Sequence, residues 1–237
     1  MRPRSRYEAS STARRALPLL PTLPPVTRLA LARFDLTEST PVTVGLLRRE
    51  LGLGPTLRLL LHVVRRAIFA DPLRSLGPPD GLDDTLTRQQ LRPVLLLDAA
   101  LRDDLGLEPH RARALMRAVV LASGARFLAR FQPAVTAEDW LAASEHERHD
   151  FSSNLVSRLF NARVDRFEGL PDALIFDVGA CRFAELLAAL GRPDLGPIFC
   201  EVDNAFVARD GSRLTLERSG TIAQGAARCD FRISMRR

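Results

Sequence analysis

The chain contains no lysine, so all 34 of its basic residues are arginine. That absence excludes Schiff-base chemistry and a lysine general base. It also changes how the net charge of +6 is read. An arginine-only chain rich in alanine, leucine, proline and glycine carries the mark of a GC-rich genome rather than of a nucleic-acid partner. One tryptophan and one tyrosine are too few to build base-stacking platforms, and the arginines are dispersed instead of clustered. No nucleic acid is expected. The longest apolar run, Leu59 to Val64, is interrupted by His62 and ended by Arg65 and Arg66. It falls far short of the roughly 20 residues a membrane span needs, so no membrane partner is expected either. Cysteine is scarce too. Three cysteines without a recognisable secretory signal predict reduced thiols and a cytoplasmic address.

With 237 residues and ordinary apolar and charged fractions, the chain can bury a core without covalent staples. Residues 1–27 are rich in arginine, serine and proline and poor in acids, and are expected to be a flexible tail, with an organelle transit peptide as the other reading. Residues 28–160 read as a helical portion. In 54–71, Leu57, Leu60, Leu61, Val64, Ala67 and Ile68 share one helical face. A second helix is expected around 89–105, with Pro93 near its start or kinking it. A third runs over 109–131, its stripe made by Leu115, Met116, Val119, Val120, Phe127 and Phe131. Thr136 to Asp139 has the form of a capping box for a helix through Trp140, and a further helical run covers Phe151 to Phe160. Residues 77–84 read as a loop.

After Asn161 the texture changes, and residues 161–237 read as a small α+β portion. Short strands are expected near 164–167, 173–178, 199–202, 205–208, 213–217 and 229–234, with one short helix over 181–190 ended by Gly191. Arg209 to Ser212 has the form of a hairpin turn. The fold class is therefore α+β: a helical N-terminal portion followed by a small, mostly antiparallel sheet with one short helix.

All three cysteines fall between Phe176 and Phe231, and function is sought there. Cys200 stands three residues before Asp203. A thiol becomes a nucleophile as thiolate, which needs a base or a positive field, and Arg218 and Arg228 are candidates for that field. A carboxylate beside it raises the thiol pKa, so Asp203 is better suited to moving a proton to or from a reacting group. The plain alternative makes Cys200 a buried strand residue and Asp203 a turn residue. Cys181, Cys200 and Cys229 lack the paired spacing of structural zinc sites, and no histidine follows His149. A Cys/Cys/Asp metal site assembled in space stays open. His146 and His149 lie among charged neighbours and read as a solvated helix face, and Gly225 reads as a turn glycine.

Several motifs recur in order: Phe176-Asp-Val-x-x-Cys181-Arg-Phe-Ala-Glu185, Leu190-Gly191, Leu195-Gly196, Cys200-x-x-Asp203, Leu214-x-Leu-x-Arg218, Thr221-Ile and Gly225-Ala-x-x-Cys229-Asp230-Phe-Arg232. Together, over about residues 160–235, they resemble the L-2-amino-thiazoline-4-carboxylic acid hydrolase family. The resemblance implies hydrolysis of a cyclic amidine, opening a thiazoline carboxylate towards a carbamoyl-cysteine, with no cofactor and no metal. On that basis Cys200 and Asp203 are the expected catalytic pair, Cys200 attacking the amidine carbon and Asp203 exchanging a proton with a substrate nitrogen. Arg218 is expected to hold the substrate carboxylate, and Cys181, Thr221, Cys229 and Asp230 to line the pocket. The expected partner is a small molecule bearing a carboxylate, and a homodimer is left open. The ending G-x-x-x-C-D-F also resembles the closing motif of V4R-type small-molecule-binding domains. The alternative is therefore a non-catalytic small-molecule or metal-binding sensor that uses the same pocket.

Overall fold

The computed structural model describes residues 25–208 and 213–236. The expected flexible tail lies almost wholly outside them, as does the Arg209–Ser212 turn. Helices come first: α1 (Arg28–Phe34), α2 (Thr40–Leu51), α3 (Leu53–Phe69), α4 (Gly81–Ala99), α5 (Pro109–Phe131), α6 (Ala137–Ala142) and α7 (Glu145–Ser157). Strands β1 (Ala162–Gly169) and β2 (Ala173–Cys181) follow, then helices α8 (Arg182–Ala189) and α9 (Gly196–Val207), and finally β3 (Leu214–Glu217) and β4 (Cys229–Met235). The sheet order is β1-β2-β4-β3 with every pairing antiparallel, so the α+β reading holds.

Local signals account for most of these boundaries. Thr27 caps α1, its hydroxyl accepting from the Ala30 backbone N–H at 3.1 Å. Thr136 caps α6 as its spacing suggests. Ser144 and Glu147 form a full capping box at the start of α7. Gly191 adopts φ +69°, a conformation that stops the chain from continuing α8. Pro93 sits inside α4, and that helix begins at Gly81, so the expected loop is confined to the residues before it.

Two strand assignments are overturned. Residues 199–202 and 205–208, read as strands, lie in α9 or at its end. Consequently Cys200 is a helix residue, and the chain between β2 and β3 holds two helices rather than one. The reason is tertiary. Gly124 on α5 admits α9 so closely that a Cβ there would meet the Val202 side chain at 2.6 Å. Ile198 and Val202, four residues apart, are buried on that contact. Burial of one helical face overrides the strand preference of Phe, Val and Cys.

The main core joins the two portions of the chain. Leu47, Leu59, Leu91, Leu101 and Met116 pack in one cluster with Leu186, Leu187, Leu195 and Ile198 from α8, α9 and the turn between them. A second cluster lies under the sheet, where Trp140 and Phe151 meet Leu174, Phe176, Val178 and Cys229. Helix α3 is present as expected, but its apolar stripe is not its buried face. Thr56 and Leu59 turn inward, whereas Leu57, Leu61, Val64 and Ile68 are exposed.

Candidate functional site

Helix α9 and the ends of the sheet strands meet around one cavity of ≈ 380 Å³. Gly196, Phe199, Cys200 and Asp203 all line it. Their spacing of three, four and seven residues places them on one face of α9, beside Val202, which packs on Gly124 and also borders the cavity. Cys181 reaches the cavity from the end of β2, where it is the residue before α8. Cys229 reaches it from the start of β4, paired in register with Val178. Arg218 follows the last residue of β3 and completes the group. Residues far apart in sequence therefore converge: Cys181, Cys200, Cys229, Asp203 and Arg218 share one cavity.

Arg218 connects the group. Its Nη1 donates to the Asp203 carboxylate at 3.0 Å and its Nη2 to the Cys200 backbone carbonyl at 2.7 Å. The guanidinium lies 4.8 Å from the centre of the Phe231 ring, which in turn stacks on Phe176 at 4.4 Å. Only 8% of the Arg218 side chain is exposed, while Asp203 keeps 33% of its side-chain surface open to the cavity. A planar fork clamped between a carboxylate, a carbonyl and a ring face is held in one orientation.

Asp203 does not behave as an ordinary salt-bridged carboxylate. Desolvation pushes its pKa up to about 6, and the charge and hydrogen bond of Arg218 reduce that rise without cancelling it. The Cys200 thiol is pushed up to about 11, first by burial and then by the Asp203 charge. A hydrogen bond with Thr221 and the Arg218 charge pull the other way, but less strongly. Cys181 and Cys229 are also raised, in both cases chiefly by burial. Backbone N–H groups at the start of α8 oppose the rise at Cys181, and the Ile222 N–H, 3.2 Å from the Cys229 sulfur, opposes it there. At all three sulfurs the environment favours the neutral thiol over the thiolate.

Thr221 and Asp230 do not line the cavity, but Thr221 reaches the Cys200 thiol from beneath it. The Asp230 carboxylate accepts from the backbone N–H groups of Ser219 at 3.0 Å and Gly220 at 3.3 Å, tying down the loop that carries Arg218. Thr221 is buried and donates to the Gln224 side chain at 2.9 Å, ahead of the turn at Gly225 with φ +92°. Arg228, the other candidate for a positive field, is exposed and lies 3.8 Å from Asp177. His146 is likewise exposed and pairs with Asp150, as a solvated face should. Among the described residues, no group of three or more His, Cys, Asp or Glu side chains is arranged to hold a metal ion, and no helix is long and apolar enough to cross a membrane.

The cavity also contains residues that sequence motifs did not mark. Phe183 and Phe199 stack at 4.7 Å beside Cys181 and Cys200. Asp35, at the start of a π-helical turn between α1 and α2, lines the helical wall, and burial pushes its carboxyl up to about 6. No spacing rule points to it, because it belongs to neither a motif nor an apolar stripe.

Residues 94–233 match the model of a protein family described as L-2-amino-thiazoline-4-carboxylic acid hydrolase. The match spans more than half of the chain and covers α5, α8, α9 and nearly all of the sheet. No curated protein and no solved structure matches the chain.

Proposed function

Because the chain belongs to the L-2-amino-thiazoline-4-carboxylic acid hydrolase family, we propose that it hydrolyses a small cyclic amidine, with Cys200 as nucleophile and Asp203 as proton carrier. The observation that carries this reading is the pairing on α9: a thiol and a carboxyl held near pKa 6 share one helical face beside one cavity. A carboxyl with a pKa near the working pH is suited to taking and returning protons.

The chemistry follows for 2-amino-thiazoline-4-carboxylate. The Cys200 thiol is neutral at rest, so it loses its proton as it attacks, not beforehand. Its sulfur bonds to the amidine carbon as the C=N π pair moves onto the ring nitrogen and the ionised Asp203 carboxylate accepts the thiol proton. That pair re-forms C=N as the ring carbon–sulfur bond breaks, and the departing substrate sulfur takes the proton from Asp203. Water then adds its oxygen to the same carbon, one of its protons going to the former ring nitrogen and the other to the Cys200 sulfur as the bond to Cys200 breaks and C=O forms. One water is added overall and a carbamoyl-cysteine leaves. Covalent capture divides one difficult step into two easier ones.

Arg218 acts here first as the residue that orients Asp203 and braces α9, since two of its donors are engaged in those contacts. The donors that remain are the ones available to a substrate carboxylate. Cys181 and Cys229 form thiol-lined wall, and Thr221 and Asp230 support the loop beneath Arg218.

The test is turnover of 2-amino-thiazoline-4-carboxylate, followed by the thiol it releases. Cys200→Ala is expected to abolish it while circular dichroism stays unchanged, and undiminished turnover would remove Cys200 from the mechanism. A second reading, a non-catalytic binding module, is favoured by the raised thiol pKa values. It predicts that the wild-type protein binds such compounds with no release of thiol at all.

A further inference from the structure

The cavity is much larger than the thiazoline carboxylate that gives the family its name. That compound is a single five-membered ring with two small polar substituents. A volume of ≈ 380 Å³ falls within the range of roughly 300–1,000 Å³ seen for sites that enclose drug-sized molecules.

The excess space has a definite character. Away from the cysteines, the wall is built by Val44 of α2, Val63 of α3, Val94 of α4, and Val120 and Phe127 of α5. These side chains come from four different helices and none can hydrogen-bond. Four charged side chains line the cavity: Asp203 and Arg218 at the sheet end, Asp35 between α1 and α2, and Arg158 after α7, while Ser39, Thr43 and Ser123 add hydroxyls to a wall that is otherwise mainly apolar. A site that only had to hold a polar ring would gain nothing from this apolar volume, and an unfilled apolar cavity costs stability.

We infer that the natural substrate is amphipathic: a cyclic amidine head seated at Cys200 and Asp203, carrying an aliphatic or aromatic substituent that occupies the space between α2, α4 and α5. This rests on the hydrolytic reading for the head group alone. The tail is assigned from the helical wall.

The experiment compares 2-amino-thiazoline-4-carboxylate with analogues whose exocyclic nitrogen carries a methyl, butyl or hexyl chain. Affinity is read by calorimetry and turnover by released thiol, both on the wild-type protein. The expected dissociation constant falls about fourfold for each added methylene until the space is filled, which is the worth of burying that group. Val44→Phe is expected to shorten the longest chain that still gains affinity, and the wild-type series carries the test if that variant does not fold. A dissociation constant flat or rising with chain length overturns the proposal, even if the parent compound is hydrolysed. Tightening along the series with no member turned over supports the amphipathic ligand and overturns the hydrolytic reading.

Discussion

Two carboxylates in this protein are each held by arginine, and they are driven in opposite directions. Asp84, in the first turn of α4, is 3% exposed and lies 2.8 Å from Arg88 and 2.9 Å from Arg182. Burial alone would raise its pKa. Hydrogen bonds from Arg182, from the Asp80 backbone N–H and from Arg88 outweigh that effect and hold it down at about 2. Asp203 has one arginine, and there desolvation wins, leaving it at about 6. The two differ in the number of donors and in how strongly desolvation acts on each carboxyl. A carboxylate given donors in excess is locked in its charge and fastens elements together: Asp84 ties α4 to Arg182, the residue after Cys181. A carboxylate given too few donors keeps its proton within reach of neutral pH, which suits chemistry and costs stability.

The largest expected effect is on turnover. Asp203→Asn keeps the shape but removes the proposed proton carrier, and is expected to lower kcat by about 10²–10⁴-fold, measured as thiol release. Asp84→Asn should leave kcat within an order of magnitude of wild type wherever the protein is folded. Stability is expected to sort the other way. Asp84→Ala removes a carboxylate shared by two arginines that keep other partners, and should cost about 1.5–3 kcal/mol by denaturant unfolding, whereas Asp203→Asn should not lower the Tm at neutral pH.

The two sites also leave opposite marks on stability against pH. Asp84 is depressed when folded, so its contribution is present above an unfolded pKa of about 3.9 and is lost as pH falls towards 2. Asp203 is raised when folded, so its ionisation opposes folding, and stability declines as pH rises from about 3.9 to 6. Thermal unfolding of Asp84→Asn and Asp203→Asn across pH 2 to 7 should remove one mark each. The smallest effect concerns packing: Gly124→Ala pushes α9 away from α5 and is expected to cost about 1–3 kcal/mol, with some loss of turnover because Cys200 and Asp203 move with the helix.

How much of this could be read beforehand depends on where each signal resides. Helix α5 was legible because its apolar residues recur at helical spacing and meet the core where they should. The strands β1, β2, β3 and β4 were legible from alternation and turn residues. Helix α9 was not, because Phe, Cys and Val over so few residues look like a strand, and the contact that makes it a helix comes from Gly124, over seventy positions earlier. One local cue did exist: Pro197, at the first helical positions, is suited to a helix start. The exposed stripe of α3 was missed for a related reason. Periodicity identifies a helix face but not what lies against it.

The candidate site divides in the same way. Cys200, Asp203, Arg218 and the two other cysteines carry motif spacing, and all of them line the cavity. Thr221 and Asp230 carry it equally well yet do not line the cavity: Thr221 hydrogen-bonds the Cys200 thiol and Asp230 braces the Arg218 loop, since spacing cannot separate a wall residue from its support. Asp35 and the four-helix apolar wall had no local signature, because they exist only once the helices are assembled.

The central claim is that an Asp203 carboxyl titrating near neutral pH works beside a neutral Cys200 thiol. The most direct test is the pH dependence of kcat/KM for 2-amino-thiazoline-4-carboxylate in the wild-type protein and in Asp203→Asn. Activity is expected to rise with pH to a plateau, with an inflection near 6 that disappears in the variant along with most of the rate. An inflection that survives in Asp203→Asn, or a rate that tracks only a thiol ionising at high pH, would contradict it.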